Sequence, residues 1–196
     1  MIHVLGNGDL SKEFISFSDF DSKNVKIYDS SNFSKSEFSE KDFINSIYKD
    51  DKVFITISDP HIRKKVFQYI ISIGLTPDTY IHPSVIIGQR TKIGVGCIIQ
   101  PNTIISNDVL IKNSVFINCN TFIGHDVIVG NYCSFMVNVN TGGHCKIDEC
   151  VLLGTGVILL PKVKILSNMK IGIGSVVTRD IVKQGSYFGN PAKLIF

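Results

Sequence analysis

The sequence predicts two parts with different architectures. Residues 1–80 read as a small parallel, Rossmann-like α/β sheet, and residues 81–196 read as a parallel β-helix of hexapeptide repeats. Two observations carry this. Short β-branched runs alternate with helical patterns over the first eighty residues. From Ile81 onward aliphatic residues recur every sixth position without a single insertion.

In the first part, "MIHVLG", "NVKIYD" and "KVFITIS" have the composition of buried strands, bounded by Gly, Asp and Ser. "DLSKEFISF" and "SEFSEKDFINSIYKDD" between them fit short helices. The third strand is followed by the clearest helix. Asp59 suits the N-cap, Pro60 the first helical position and Gly74 the C-terminal stop, with Ile62, Val66 and Ile70 spaced by four. Strands alternating with helices in this length predict a parallel sheet with right-handed crossovers.

In the second part, steps of six from Ile81 pass through Ile99, Ile117, Phe135, Leu153 and Ile171 to Val177. Fifteen of these seventeen positions are Ile, Val or Leu. The place four residues further on is small or β-branched everywhere except Met169. Helices repeat near 3.6 and strands near 2, so neither makes this pattern. A coil of three six-residue sides does make it, with coils ~4.8 Å apart pairing their backbones. Seventeen sides give about 5.7 coils and a prism ~27 Å long. Cys97, Cys133 and Cys145 fall on the narrow inward place and read as small core residues.

Composition narrows the function. No stretch approaches the ~18 apolar residues of a membrane span, and "MIHVLGNGD" has no basic region or cleavage site, so no secretory signal is expected. Five cysteines without a C-x-x-C pair argue against a disulfide framework and a structural zinc, and point to a reducing cytoplasm. A net charge of +3 is too small to imply nucleic acid. It is divided unevenly, −2 over residues 1–80 and +5 over 81–196. That division fits an anionic ligand or ordinary surface variation.

Hexads such as "IGVGCI", "IGHDVI", "LGTGVI" and "IGIGSV" resemble those of the hexapeptide-repeat acyltransferases. The resemblance implies a left-handed helix and a homotrimer. A narrower resemblance rests on "SDPHIRKKV", "IHPS" (81–84), "GHD" (124–126) and "GNPAK" (189–193) in that order after a small α/β domain. It is to the bacterial nucleotide-sugar N-acetyltransferases and their sialic-acid O-acetyltransferase relatives. It implies acetyl-CoA as co-substrate and a nucleotide-linked amino sugar as acceptor, acetylated at its amino group (C4) for surface glycans.

Acyl transfer to an amine needs a base and an oxyanion donor, and no metal. His125 stands at the third, outward-facing place of its side. A full coil of eighteen residues relates it to Asn107 and Gly143, and relates Asp126 to Asp108 and His144. A neighbouring carboxylate can fix which imidazole nitrogen carries the proton. In the family the base is a His followed by an acid, matching His125 and Asp126; His144 is the rival and otherwise supports Asp126. Relatives often carry a second His nine residues on, close to the acetyl-CoA thioester; this chain has Ser134 there, so the resemblance implies Ser134, with His144, on the cofactor side of the site. The resemblance also implies that Gly143, Thr155 and Ile173 line the acetyl-CoA groove between two subunits. Lys193 is then either near a cofactor phosphate or a solvated tail residue, and Asn118 contacts the sugar.

"GNGDLS" after the first strand has Gly6 and Gly8, with Ser11 in place of a third glycine. The loop Gly6–Asn7–Gly8 reads as either a phosphate cradle or a tight turn. Asp29 and Ser30 follow the second strand, where an acid can accept from hydroxyl or N–H groups of a nucleotide. Asp59 faces the same crevice but is accounted for by its cap. Alternatives in other classes are a non-catalytic nucleotide-binding trimer and a zinc-dependent carbonic anhydrase, which needs three His around the metal where only His125 and His144 lie in the interior of the β-helix.

Overall fold

A computed structural model describes residues 1–6, 8–29, 43, 46–48 and 50–195. Three strands, β1 (Ile2–Leu5), β2 (Val25–Tyr28) and β3 (Lys52–Ile55), form a parallel sheet in the order β2-β1-β3. Val4 of the central strand pairs with Ile27 on one side and Phe54 on the other. All three strands lie where the apolar runs predict them, but β2 is not a buried strand. Both β2 and β3 are edges with one neighbour, yet β3 buries Val53, Phe54 and Ile55 whereas β2 leaves Lys26 and Ile27 exposed. Helix α1 (Asp9–Phe17) occupies "DLSKEFISF". The helix expected over "SEFSEKDFINSIYKDD" falls mostly outside the described residues.

Helix α2 (Pro60–Ser72) begins and ends as its sequence dictates. Asp59 Oδ1 accepts from the N–H groups of His61 and Ile62, both at 2.9 Å, satisfying two donors of the first turn. At the other end Gly74 takes φ +80°. Its N–H donates to Ile71 O, and that of Leu75 to Ile70 O, the paired bonds of a Schellman motif. The buried face is not the Ile62-Val66-Ile70 row. Steps of four drift about 40° per turn, and the face that packs is Arg63, Val66, Phe67 and Ile70 while Ile62 is exposed.

From Tyr80 the chain winds a β-solenoid of about six turns. Two-residue strands recur every six residues from Tyr80–Ile81 to Val176–Val177, and each as far as Ile158–Leu159 pairs in parallel with the strand eighteen residues on, as Phe116–Ile117 does with Ser134–Phe135. They form three faces, which begin at Tyr80, Ile86 and Lys92 and are here called I, II and III. The aliphatic and small columns meet inside as one continuous core from Cys97 to Tyr187. The first coil departs from this rule. Ile81 and Ile87 occupy inward places yet are exposed, because no earlier coil covers them.

The corners hold a regularity that the hydrophobic pattern does not announce. Every sixth residue from Arg90 to Gly174 takes φ between 52° and 70°. Nine of these fifteen are Gly, Asn or Asp, the residues that tolerate the left-handed region best. Asp108, Asp126 and His144 belong to this set. The α/β unit packs on face I: Ile98 and Phe116 are buried in one cluster with Val4, Phe14 and Phe54. Face II presents exposed Ile86, Ile104, Phe122 and Ile158, whereas face III carries Lys92, Lys146 and Lys164 around exposed Leu110 and Ile128.

Candidate active site

His125 sits on the corner between faces II and III, at the third place of its side, with its side chain 53% exposed. Its ring lies over Gly143 of the next coil, where a Cβ would come within 2.6 Å of Nε2. Only glycine leaves room for the imidazole there. The preceding Gly124 lets two coils close up, since a Cβ on it would stand 2.8 Å from the backbone of Gly142 and Gly143. The ladder fixes the corner through His144 N–H to His125 O at 2.8 Å and Asp126 N–H to Asn107 O at 3.1 Å.

The left-handed turn at Asp126 folds its carboxylate back onto the preceding residue, and Oδ2 lies 2.7 Å from His125 Nδ1. An ionised carboxylate only accepts, so in the neutral imidazole this contact places the proton on Nδ1 and the lone pair on Nε2. His144, one coil on, holds Nδ1 3.9 Å from the same oxygen, and the two rings meet edge to face at 5.0 Å. On the other side, Arg90 binds both oxygens of Asp108, and Asn107 Nδ2 donates to Asp108 at 2.6 Å. Arg90 first, then Asn107, hold the Asp108 carboxyl down to about 2. Arg90 was not among the candidates, although it stands one coil step before Asp108 and the same arithmetic reaches it. Among the described residues, the ligand atoms of His125, Asp126 and His144 all lie within 4.8 Å of one another. A divalent cation would find three donors there; acetyl transfer requires none.

A second feature lies in the α/β unit. A cavity of about 270 Å³ is lined by Gly6, Gly8, Asp9, Leu10, Thr56, Ile57 and Ser58. Gly6 takes φ +139° with its N–H on Tyr28 O, and a Cβ there would strike Thr56 Oγ1 at 2.7 Å. Gly8 caps α1 without any side-chain bond, and nothing stands within 4 Å of where its Cβ would be. Gly8, Asp9 and Leu10 thus bring the start of α1 to the wall of the cavity, with the Ser11 N–H turned back onto Gly8 O. Ser11, in the third-glycine place, is buried with Oγ 2.7 Å from Thr56 Oγ1, so its hydroxyl ties α1 to the end of β3. Asp29 is exposed just beyond β2. Asn7 and Ser30 lie outside the described residues. Asp59 commits one oxygen to its cap.

The other candidates are distributed. Asn118 is buried on the corner between faces I and II, its Oδ1 accepting from Cys119 N–H at 2.7 Å. Thr155 and Ile173 are exposed on that same corner in successive coils, across face II from Gly143. Lys193 is exposed in the final strand pair. Ser134 is fully buried under the α/β unit, and its hydroxyl donates to Ser58 O at 2.6 Å. The structure therefore gathers His125, Asp126, Gly143 and His144, and does not bring Ser134 to them. All five cysteines are free thiols, and burial pushes Cys133 up to about 12, far from a reactive thiolate.

No family model matches the chain. The GDP-perosamine N-acetyltransferase of Escherichia coli O157:H7 is 28% identical over 117 residues, 60% of this chain and 53% of that protein. The chain spans about a fifth to about a half of the length of three curated relatives it matches, all acetyltransferases. WeeI from Acinetobacter baumannii superposes with a TM-score of 0.89 at 22% identity, covering 100% of this chain and 99% of that one. PerB from Caulobacter crescentus, solved with CoA and GDP-perosamine, gives 0.86 at 22% identity over 100% and 97%. The chain has the fold of the hexapeptide-repeat sugar N-acetyltransferases, a β-solenoid behind a small parallel α/β sheet.

Proposed function

We propose that the chain is an acetyl-CoA-dependent N-acetyltransferase acting on the C4 amino group of a nucleotide-linked amino-dideoxy sugar for surface glycans. The observation that carries this is the imidazole of His125, oriented through Nδ1 by Asp126 and free at Nε2 beside Gly143. In the transfer, the amine nitrogen forms a bond to the thioester carbonyl carbon and loses its proton to His125 Nε2. The carbon–sulfur bond breaks, and CoA leaves as the thiol once that proton is passed on. PerB, the neighbour solved with CoA and GDP-perosamine, supports both substrates.

The α/β unit, Rossmann-like in this reading, supplies the nucleotide site. The start of α1 at the cavity wall suits a diphosphate, because the helix end carries partial positive charge. Asp29 beyond β2 suits nucleotide hydroxyl or N–H groups. Asp29→Ala is expected to weaken nucleotide-sugar binding about tenfold, the scale of one charge-assisted hydrogen bond. Acetyl-CoA affinity should stay unchanged. Calorimetry with each ligand checks this, and equal loss for both would remove the pocket assignment.

Assembly follows from the faces. Face I is covered by the α/β unit from Ile98 to Ser134, and lysines interrupt the Leu110–Ile128 column of face III, so the longer apolar column on face II is the surface best suited to a second copy. The expected cofactor residues stand on opposite edges of that face, Gly143 on one and Thr155 with Ile173 on the other. A groove using both edges is built from two chains, as in a left-handed β-helical homotrimer. Sedimentation should give a trimer, and Phe122→Asp should give monomers lacking turnover. A wild-type monomer at micromolar concentration would remove the shared groove.

The five free thiols fit work in a reducing cytoplasm, and among the described residues no helix is long and apolar enough to cross a membrane. A second reading is O-acetylation, of sialic acid for example. It is favoured by a galactoside O-acetyltransferase of Lactococcus lactis that is 53% identical over 45 residues, and the same base serves a hydroxyl. Release of free thiol from acetyl-CoA with a panel of nucleotide amino sugars and sialic acids decides between them. No release with any acceptor would leave a non-catalytic nucleotide-binding protein.

A further inference from the structure

Arg63 of α2 is 1% exposed, the bulkiest side chain among those fully buried. Its five N–H donors meet five backbone carbonyls at 2.5–3.2 Å. Nε donates to Ser114 O, Nη1 to Ile57 O and Ser58 O, and Nη2 to Tyr132 O and Cys133 O. Every acceptor is a neutral carbonyl. Burial pushes the guanidinium down to about 10, so it remains a cation at neutral pH.

Burying a cation among carbonyls costs desolvation that an apolar side chain would avoid. A packing role alone leaves the choice of arginine unexplained, whereas the identity of the acceptors accounts for it. Ile57 and Ser58 line the cavity of the α/β unit. Ser114 and Tyr132 are left-handed corners of two successive coils, just ahead of the face I strands at Phe116 and Ser134. One planar fork thus ties a wall of the cavity to the solenoid that carries His125. Ser134 adds a second tie to the same wall, because its hydroxyl shares Ser58 O with Nη1.

We propose that Arg63, assisted by Ser134, is the positioning residue that sets the nucleotide pocket against the solenoid, so that a bound nucleoside diphosphate sugar presents its amine at the transfer site. This rests on the proposed function above. The opposite wall of the cavity, Gly6, Gly8, Asp9 and Leu10, belongs to the α/β unit alone. Loosening the Ile57–Ser58 wall therefore changes the pocket without touching the residues at the His125 corner.

The test uses the full chain and its Arg63→Lys and Ser134→Ala variants, with UDP, GDP and dTDP as calorimetric probes. Steady-state turnover and thermal unfolding are measured alongside. Lysine keeps the charge but offers three donors at one point instead of a five-donor fork. Arg63→Lys is expected to weaken binding of the nucleoside diphosphate that the wild type prefers by roughly tenfold, and Ser134→Ala by roughly threefold. KM for the nucleotide sugar should rise in parallel, with KM for acetyl-CoA within about twofold of wild type. Should Arg63→Lys fail to fold, Ser134→Ala, which removes one hydroxyl, decides alone. Unchanged nucleoside diphosphate affinity in the folded variants, or an equal rise in both KM values, overturns the role of Arg63 and leaves the proposed function standing. A wild type that binds none of the three probes removes the pocket, and this role with it.

Discussion

Replacing His125 with alanine is expected to lower turnover by roughly 10² to 10⁴, the range for loss of a general base. Thermal stability should stay near wild type, because the side chain stands outside the prism and half of it is exposed. Substrate affinities should move little, since a base acts mainly in the transition state. Asp126→Asn should cost less than His125→Ala, because an amide can still accept from Nδ1 while losing the charge that holds the ring. His144→Ala separates the two imidazoles. His144 lies 3.9 Å from the shared carboxylate oxygen against 2.7 Å for His125, too far for the hydrogen bond that orients a ring. If His144→Ala abolishes turnover while His125→Ala retains a substantial share, the base is His144 and the assignment is wrong by one coil.

The placement of these residues was legible because the solenoid converts sequence into geometry by arithmetic. A step of six is one side and a step of eighteen is one coil, so the neighbours of His125 follow from counting alone. The register of the core followed in the same way, from Ile99 to Val177. Exceptions arise where a residue's surroundings come from outside the repeat. Ile81 and Ile87 keep the pattern but lack a coil above them. Ser134 takes an outward place on face I, and nothing local shows that the α/β unit covers it. Arg63 was the hardest to foresee. Its partners at Ser114, Tyr132 and Cys133 are backbone carbonyls more than fifty residues away, and carbonyls leave no trace in residue identity. β2 likewise has the composition of a buried strand, and its exposure at Lys26 and Ile27 depends on what packs over it, which its own residues do not record.

Gly143→Ala and Gly142→Ala, one atom added at adjacent positions, are expected to fail in different ways. A Cβ on Gly143 would lie 2.6 Å from His125 Nε2 and 2.7 Å from Cε1, distances that force the ring to move. The ring is exposed and can swing outward, so the fold tolerates the change. That swing carries Nε2 off its place and strains the Nδ1 bond to Asp126. A displacement near 1 Å at a reacting group can cost about 10² in rate, which is the loss expected here with little change in melting temperature. A Cβ on Gly142 would instead meet Pro161 N at 2.5 Å and Pro161 Cδ at 2.7 Å. Backbone and a proline ring cannot swing aside, so the coils must part. Gly142→Ala is expected to cost about 1–3 kcal/mol of stability, the scale of overpacking, seen as a lowered melting temperature. Turnover and thermal melts on the two variants check the contrast. Full activity in Gly143→Ala would mean that transfer does not depend on an imidazole seated over residue 143, and the geometric case for His125 as the base would go with it.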